Sequence, residues 1–405
     1  MRALSRYRMY FLVLLGTATL GALGLTSWVN PWRVTPAPWS GEGFEPYRDI
    51  ERDWNTTCKA GLVRSGRWDA ALFGSSRTDI ALDPLHPAFR GMRCVNLGLN
   101  AAGIGENHAI FSYFMEHESP KLVVFCIDPG DLSTPERKQF KGDFTLSPLD
   151  PGADPVEREL RYRAGVTALA GCGTVVSRRL RGQLAEHTPQ GFRREAEFPK
   201  HQRKLIRSLY LPVTYRYALK HKRTDALNPR KLALVDDIIR RCREMGTRLV
   251  FFIPPNQALF MLTFRELGDP DPYFARDRRA LAKRIAAANA SAPPGAPPVE
   301  LWDFLDAHPL NCQPLPPAND PGAHMPDWLD LYHSDHRIGN LMLDRLLPDH
   351  ASPSTPPYGT RLAPELVDSR VAEIAKGLDA YARTHPGDIA YLREALAKFA
   401  ESSAQ

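Results

Sequence analysis

Two short segments more than 250 residues apart carry the side-chain types that nucleophilic chemistry needs. Gly74-Ser75-Ser76-Arg77 follows a strand-like stretch, and Asp330-Leu331-Tyr332-His333 precedes a helix-like one. A serine on a glycine-preceded turn at a strand end can expose its Oγ. That hydroxyl is a poor nucleophile until a base removes its proton, and an imidazole held in one tautomer by a carboxylate is such a base. Asp330 and His333, three residues apart, fall on one side of a turn. The parts suit acyl transfer, with Ser76 as nucleophile, His333 as base and Asp330 orienting it. The oxyanion that develops needs preorganised N–H donors. The Ser76 backbone, Gly98 or Gly103, and the Asn100 amide are the candidates. Arg77 suits an anionic substrate or a local ion pair with Asp79, and Asn256 suits a substrate contact. A competing reading makes His333 and His336 metal ligands with Asp330 or Asp335. It lacks a clearly marked third ligand, so no metal is expected, and no cofactor.

These residues need a scaffold that gathers them. Strand candidates cover 69–73, 93–97, 122–127, 248–253 and 299–304. Leu122 to Ile127 and Leu249 to Ile253 are continuously apolar, as strands buried on both faces of a parallel sheet are. Helical patterns separate them. The clearest has Asn228 as N-cap and Pro229 at the first position, stops at Gly246, and lines up Leu232, Val235, Ile238, Ile239, Cys242 and Met245. The expectation is an α/β fold, a three-layer α/β/α flavodoxin-like domain with a five-stranded parallel sheet. A helical, basic insertion is expected at about 150–227. Ligands of open parallel sheets bind beyond the carboxyl ends of the strands. Every polar, glycine-bearing segment named above falls on that rim.

Residues Met9 to Val29 contain no charged side chain, and Arg2, Arg6 and Arg8 precede them. At 1.5 Å per residue the run spans roughly 31 Å as a helix, enough for a bilayer core. The arginines place its start in the cytoplasm and the rest of the chain outside. Trp28 and Trp32 stand where an interfacial aromatic belt belongs. The expected division is an anchor at 1–30, an α/β domain at 31–350, and a Pro-rich link with a helical tail at 351–405. Six cysteines lack Cys-x-x-Cys spacing, which argues against a zinc knuckle or redox pair. A disulfide among Cys58, Cys172 and Cys312 is permitted outside the cytoplasm. Between Arg178 and Arg223 thirteen Lys/Arg face three Glu, a surface for anionic lipid, an acidic polymer or a partner protein. Nucleic acid is not expected as a partner of a chain outside the cytoplasm.

Taken together, these motifs resemble the SGNH/GDSL superfamily of esterases and acyltransferases. Gly74-Ser75-Ser76 resembles its nucleophile block, Asn96-Leu97-Gly98 with Gly103 its second block, and Asp330-Leu331-Tyr332-His333 its last block. The Gly-Ser-Ser-Arg turn and the N-terminal apolar run are similar to a membrane-anchored bacterial branch engaged in cell-envelope polysaccharide O-acetylation. The resemblance implies an inner-membrane protein with a periplasmic catalytic domain. It further implies an acylated glycan as substrate, the acyl group being acetyl, and a membrane-bound O-acyltransferase as partner. Two departures stand out. Ser75 replaces the family's aspartate before the nucleophile, and Cys126-Ile127-Asp128-Pro129 replaces its Gly-x-Asn-Asp block. An ionised Asp128 cannot donate a hydrogen bond to an oxyanion. The alternative is therefore a degenerate SGNH-like domain that binds glycan or an acyltransferase without chemistry.

Overall fold

Apolar runs with no polar alternation become strands covered on both faces, and that is how the sheet is built. The computed structural model describes residues 2–35, 39–135, 140, 142–194, 198–224, 226–348 and 357–404. The chain divides into two units, Met1–Arg67 with Phe140–Arg194, and Trp68–Gln139 with Glu195–Gln405. The second unit carries the sheet: β1 Ala70–Phe73, β2 Cys94–Asn96, β3 Leu122–Cys126, β4 Arg248–Ile253, β5 Glu300–Asp303 and β6 Thr360–Arg361. Their order is β2-β1-β3-β4-β5-β6. The first five are parallel, with Leu72 opposite Val124, Phe125 opposite Phe251 and Phe252 opposite Trp302. Each forms within a residue or two of its expected ends. The expectation of five strands needs correction, because β6 adds antiparallel to β5. Thr360 and Arg361 show no apolar run, and two residues are too few to reveal a period.

Phe73, Phe111, Phe114, Phe125 and Phe251 pack as one aromatic cluster, with ring centroids 5.6–6.1 Å apart. The Pro229–Glu244 helix starts as its sequence requires, with Asn228 Oδ1 accepting from the Arg230 and Lys231 N–H groups at 3.0 and 3.4 Å. Leu232, Val235, Ile238, Ile239 and Cys242 are buried, whereas Met245 is exposed just past the last turn. The C-terminal helices, Val367–Thr384 and Pro386–Ala404, belong to this same unit rather than trailing it. Asp388 accepts from Tyr381 Oη at 2.7 Å and from the Leu315 N–H at 3.0 Å.

The other unit gathers the N-terminal helix, Arg2–Val29, with the helices Pro155–Ala164 and Val166–Arg181. Within the first of these, Arg6–Val29 is long and apolar enough to cross a membrane, with a mean hydropathy of 1.7. Val29, Phe44, Cys172 and Val175 form a local core. The single body expected at 31–350 is thus divided. Residues 31–67 and 140–194 fold with the apolar helix, and the expected insertion splits after Arg194. Trp32 is not part of an aromatic belt, since it is buried and stacked on Trp54 at 4.3 Å. All six cysteines are free, so Cys58, Cys172 and Cys312 form no disulfide.

Candidate active site

Strand β1 is clamped between β2 and β3, so its carboxyl end is fixed and the chain must turn sharply beyond Phe73. Gly74 makes that turn possible. A Cβ there would collide with Thr78 Oγ1 and with Cys126 Cβ at the end of β3. Ser75 then caps the short Ser76–Ala81 helix, its carbonyl accepting from the Thr78 and Asp79 N–H groups at 3.0 and 3.2 Å. Ser76 is the first helical residue, half-buried at the sheet rim.

The two distant motifs meet. Ser76 Oγ lies 2.8 Å from His333 Nε2, and His333 Nδ1 lies 2.7 Å from Asp330 Oδ2. Asp330 Oδ1 accepts from the Tyr332 and His333 N–H groups at 2.6 and 2.9 Å. Burial by itself would raise the Asp330 pKa. The facing His333 and the two backbone donors reverse that and hold the carboxyl below the usual carboxylate range. Asp330 therefore stays ionised and fixes a proton on Nδ1, leaving Nε2 free to accept from Ser76. Both ring nitrogens of His333 are thereby occupied, and His336 points to solvent at the start of the His336–Leu346 helix. The two-histidine metal reading loses its ligand.

Backbone contact sets the spacing of the two motifs. At Gly339 a Cβ would overlap the Ala81 carbonyl, so the helix after His333 lies directly against the helix that begins with Ser76. The loop between is closed on itself by Leu329 N–H to His333 O at 2.8 Å and Asp335 N–H to Asp327 O at 3.0 Å. Behind it, the Leu331 carbonyl accepts from the Gln257 N–H and from Asn256 Nδ2, both at 3.3 Å. Asn256 is fully buried there, so the expected substrate contact is corrected to a brace. Gln202, also fully buried, donates to the Trp328 and Leu329 carbonyls and accepts from the Met325 N–H at 2.8 Å.

Four residues received no role from the sequence: Gln202, Tyr210, Thr214 and Tyr332. Tyr332 Oη bonds Thr214 Oγ1 at 2.8 Å, and burial pushes its pKa up to about 12, so the hydroxyl keeps its proton. The Tyr210 ring stands edge-on to His333, centroids 6.5 Å apart. It ends a π-helical turn, Ile206–Tyr210, closed by the Leu211 N–H bonding back to Ile206 O. Pro212, which has no N–H for a regular helical bond, was the one available signal of that irregularity.

The expected oxyanion donors fare differently from the triad. The Gly98 N–H is taken by Asn96 Oδ1 at 2.9 Å, and the Gly103 N–H by Glu106 Oε2 at 3.0 Å. Both glycines serve geometry instead. A Cβ at Gly98 would come within 2.7 Å of the Asp79 nitrogen, while Gly103 caps the Ile104–His117 helix. Asn96 Nδ2 braces the Ser76–Ala81 helix through the Thr78 and Leu82 carbonyls, each at 2.8 Å. Asn100 is exposed on the same loop. Arg77 pairs with Asp128 at 3.1 Å, and its guanidinium lies over the rings of Tyr332 and Phe260 at 5.3 and 5.8 Å. Asp128, the residue standing where an amide donor was expected, is thus a counter-ion for Arg77.

A polarised hydroxyl, a tautomer-locked imidazole and a buried carboxylate in hydrogen-bonded series can form and break an acyl-oxygen ester. Compared with models of known protein families and with curated proteins, the chain matches none, so the reading of this site stands on its geometry.

Proposed function

We propose that this protein is a membrane-tethered serine esterase or O-acyltransferase of the SGNH type. The observation that carries the reading is the 2.8 Å contact of Ser76 Oγ with His333 Nε2, backed by Asp330 at 2.7 Å. In the reaction, His333 Nε2 takes the Ser76 proton as Oγ attacks an acyl carbonyl. Collapse of the tetrahedral intermediate gives an acyl-serine, and the imidazolium returns the proton to the departing alcohol. Water or a sugar hydroxyl then reverses the sequence. The Ser76 N–H, one of the first-turn amides that a helix leaves without an internal acceptor, and the Asn100 amide are the donors assigned to the oxyanion. The order β2-β1-β3-β4-β5 of the parallel strands supports a flavodoxin-like core.

Arg2, Arg6 and Arg8, at the N-terminal end of a helix of spanning length, support an inner-membrane anchor with the catalytic unit on the periplasmic side. With the motif resemblance, that supports an acetylated cell-envelope glycan as substrate and a membrane-bound O-acyltransferase as partner. One observation favours a binding domain without chemistry: Gly98, Gly103 and Asp128 are engaged internally, which leaves few donors for an oxyanion. A fluorophosphonate probe and p-nitrophenyl acetate separate the two readings. The esterase reading expects labelling and turnover that Ser76→Ala abolishes, with thermal stability almost unchanged. An unlabelled, inactive wild-type chain with the same melting curve would leave the binding reading.

A further inference from the structure

The N-terminal helix is exposed along most of its length, yet its last two turns are gripped. Ala22, Leu23 and Ser27 are half-buried and Thr26 is buried, beside the helices Pro155–Ala164 and Val166–Arg181. Thr26 Oγ1 donates to the Arg163 carbonyl at 2.6 Å, and Cys172 Sγ lies 4.0 Å from the Leu25 carbonyl. Gly165 is the turn between those two helices, so the hairpin tip sits at the level of Thr26. By helical rise, Thr26 and Ala22 lie about 4.5 and 10 Å below Val29, inside the apolar stretch. Trp28, half-exposed above them, stands at the level suited to an interfacial indole.

At this tip the apolar side chains turn outward. Val166 is 84% exposed and Leu160 59%. Arg161 and Arg163, half-exposed beside them and paired with Glu157 and Glu159 at 2.6 and 3.5 Å, carry long stems that can lie along hydrocarbon while the guanidinium stands at the level of a phosphate. Isolated exposed valines and leucines need no explanation in water. These differ because they continue the lipid-facing surface of a helix of spanning length. We propose that the Gly165 tip of this helical hairpin is embedded in the phospholipid leaflet on the Val29 side, with Val166 and Leu160 among acyl chains and Arg161 at the head groups. The hairpin then fixes the depth and rotation of the anchor. This rests on the anchor reading above. The opposite end of the hairpin serves as an internal control. Leu180, 82% exposed and about 21 Å along the helix from Val166, is expected outside the leaflet.

The test uses the full chain in nanodiscs of phosphatidylethanolamine and phosphatidylglycerol. Leu15→Cys, Val166→Cys and Leu180→Cys, all at exposed positions, are each labelled with nitrobenzoxadiazole, with the wild-type chain as the labelling blank. Doxyl-labelled lipid is the quencher. The expected result is loss of most fluorescence at positions 15 and 166 and none at 180. Quenching at 15 with position 166 behaving like 180 would overturn the hairpin inference while sparing the anchor. No quenching at 15 would remove the anchor reading and this inference with it.

Discussion

Replacing Asp330 by Asn tests the catalytic reading without removing nucleophile or base. Asp330 Oδ1 accepts from two backbone N–H groups, and Oδ2 faces His333 Nδ1 at 2.7 Å. An asparagine keeps its oxygen on the backbone donors and so presents its NH2 to Nδ1. The imidazole must then carry its proton on Nε2, where it can no longer accept from Ser76. Loss of the correct tautomer in such a triad costs about 10³–10⁴ in kcat/KM, or about 4–5.5 kcal/mol of transition-state stabilisation. Folding loses only the charge assistance of the two backbone bonds, about 1–3 kcal/mol. The assay is p-nitrophenyl acetate hydrolysis by the full chain in detergent, with thermal melts alongside. Asp330→Asn retaining kcat/KM within tenfold of wild type would refute the assigned role. The same carboxyl carries a pH signature. Its folded pKa is depressed, so its stabilisation is present above the ordinary carboxylate range and fades as pH falls through the folded value. Wild type should thus lose more stability on acidification than Asp330→Asn does.

Gly339→Ala should lower the melting temperature, by about 1–3 kcal/mol of overpacking against the Ala81 carbonyl, and slow fluorophosphonate labelling of Ser76. An unchanged melt would show that the two helices do not set the spacing, since alanine otherwise favours a helix. Gln202→Ala should strand the Met325 N–H and two carbonyls of the His333 loop, costing about 2–4 kcal/mol and lowering kcat more than it raises KM. Equal kcat in both proteins would make Gln202 irrelevant to the base. Burial raises Asp277 to about 6, with Ser133 and His221 opposing and Asp131 and Asp271 adding to the rise. A carboxyl raised in the folded state binds protons the unfolded chain has released, so stability falls as pH climbs from about 4 to about 6. Asp277→Asn should gain on wild type by about 2 kcal/mol between pH 4.5 and pH 7.5, read by urea denaturation at both values. Parallel pH profiles would count against the assignment.

Local features were legible in the chain because their causes are local. Continuous apolar runs specify β3 and β4, Asn228 with Pro229 specifies a helix start, and the three-residue spacing of Asp330 and His333 already allows their pairing. Spacing along the chain says nothing about whether a free N–H remains free. Asn96 captures Gly98 through a two-residue turn, and Glu106 captures Gly103 through a capping box, so both donors expected in solvent were spent on local structure. Asn256 reads as a polar loop residue, and only packing reveals that the Asp330–His333 loop covers it. Likewise β6 and the division at Arg194 depend on contacts between segments whose own sequences carry no period.

By itself the sequence determined the Gly74–Arg77 turn, the Asp330–His333 pair, five strands and an apolar helix of spanning length, because each depends on neighbours a few residues away. Tertiary structure alone decided that Ser76 and His333, 257 residues apart, stand 2.8 Å from one another. The reason is a backbone-to-backbone approach, Gly339 on Ala81, together with Gln202 and Asn256 holding the loop from two sides. Such distances are set by excluded volume and buried hydrogen bonds, which no linear pattern encodes.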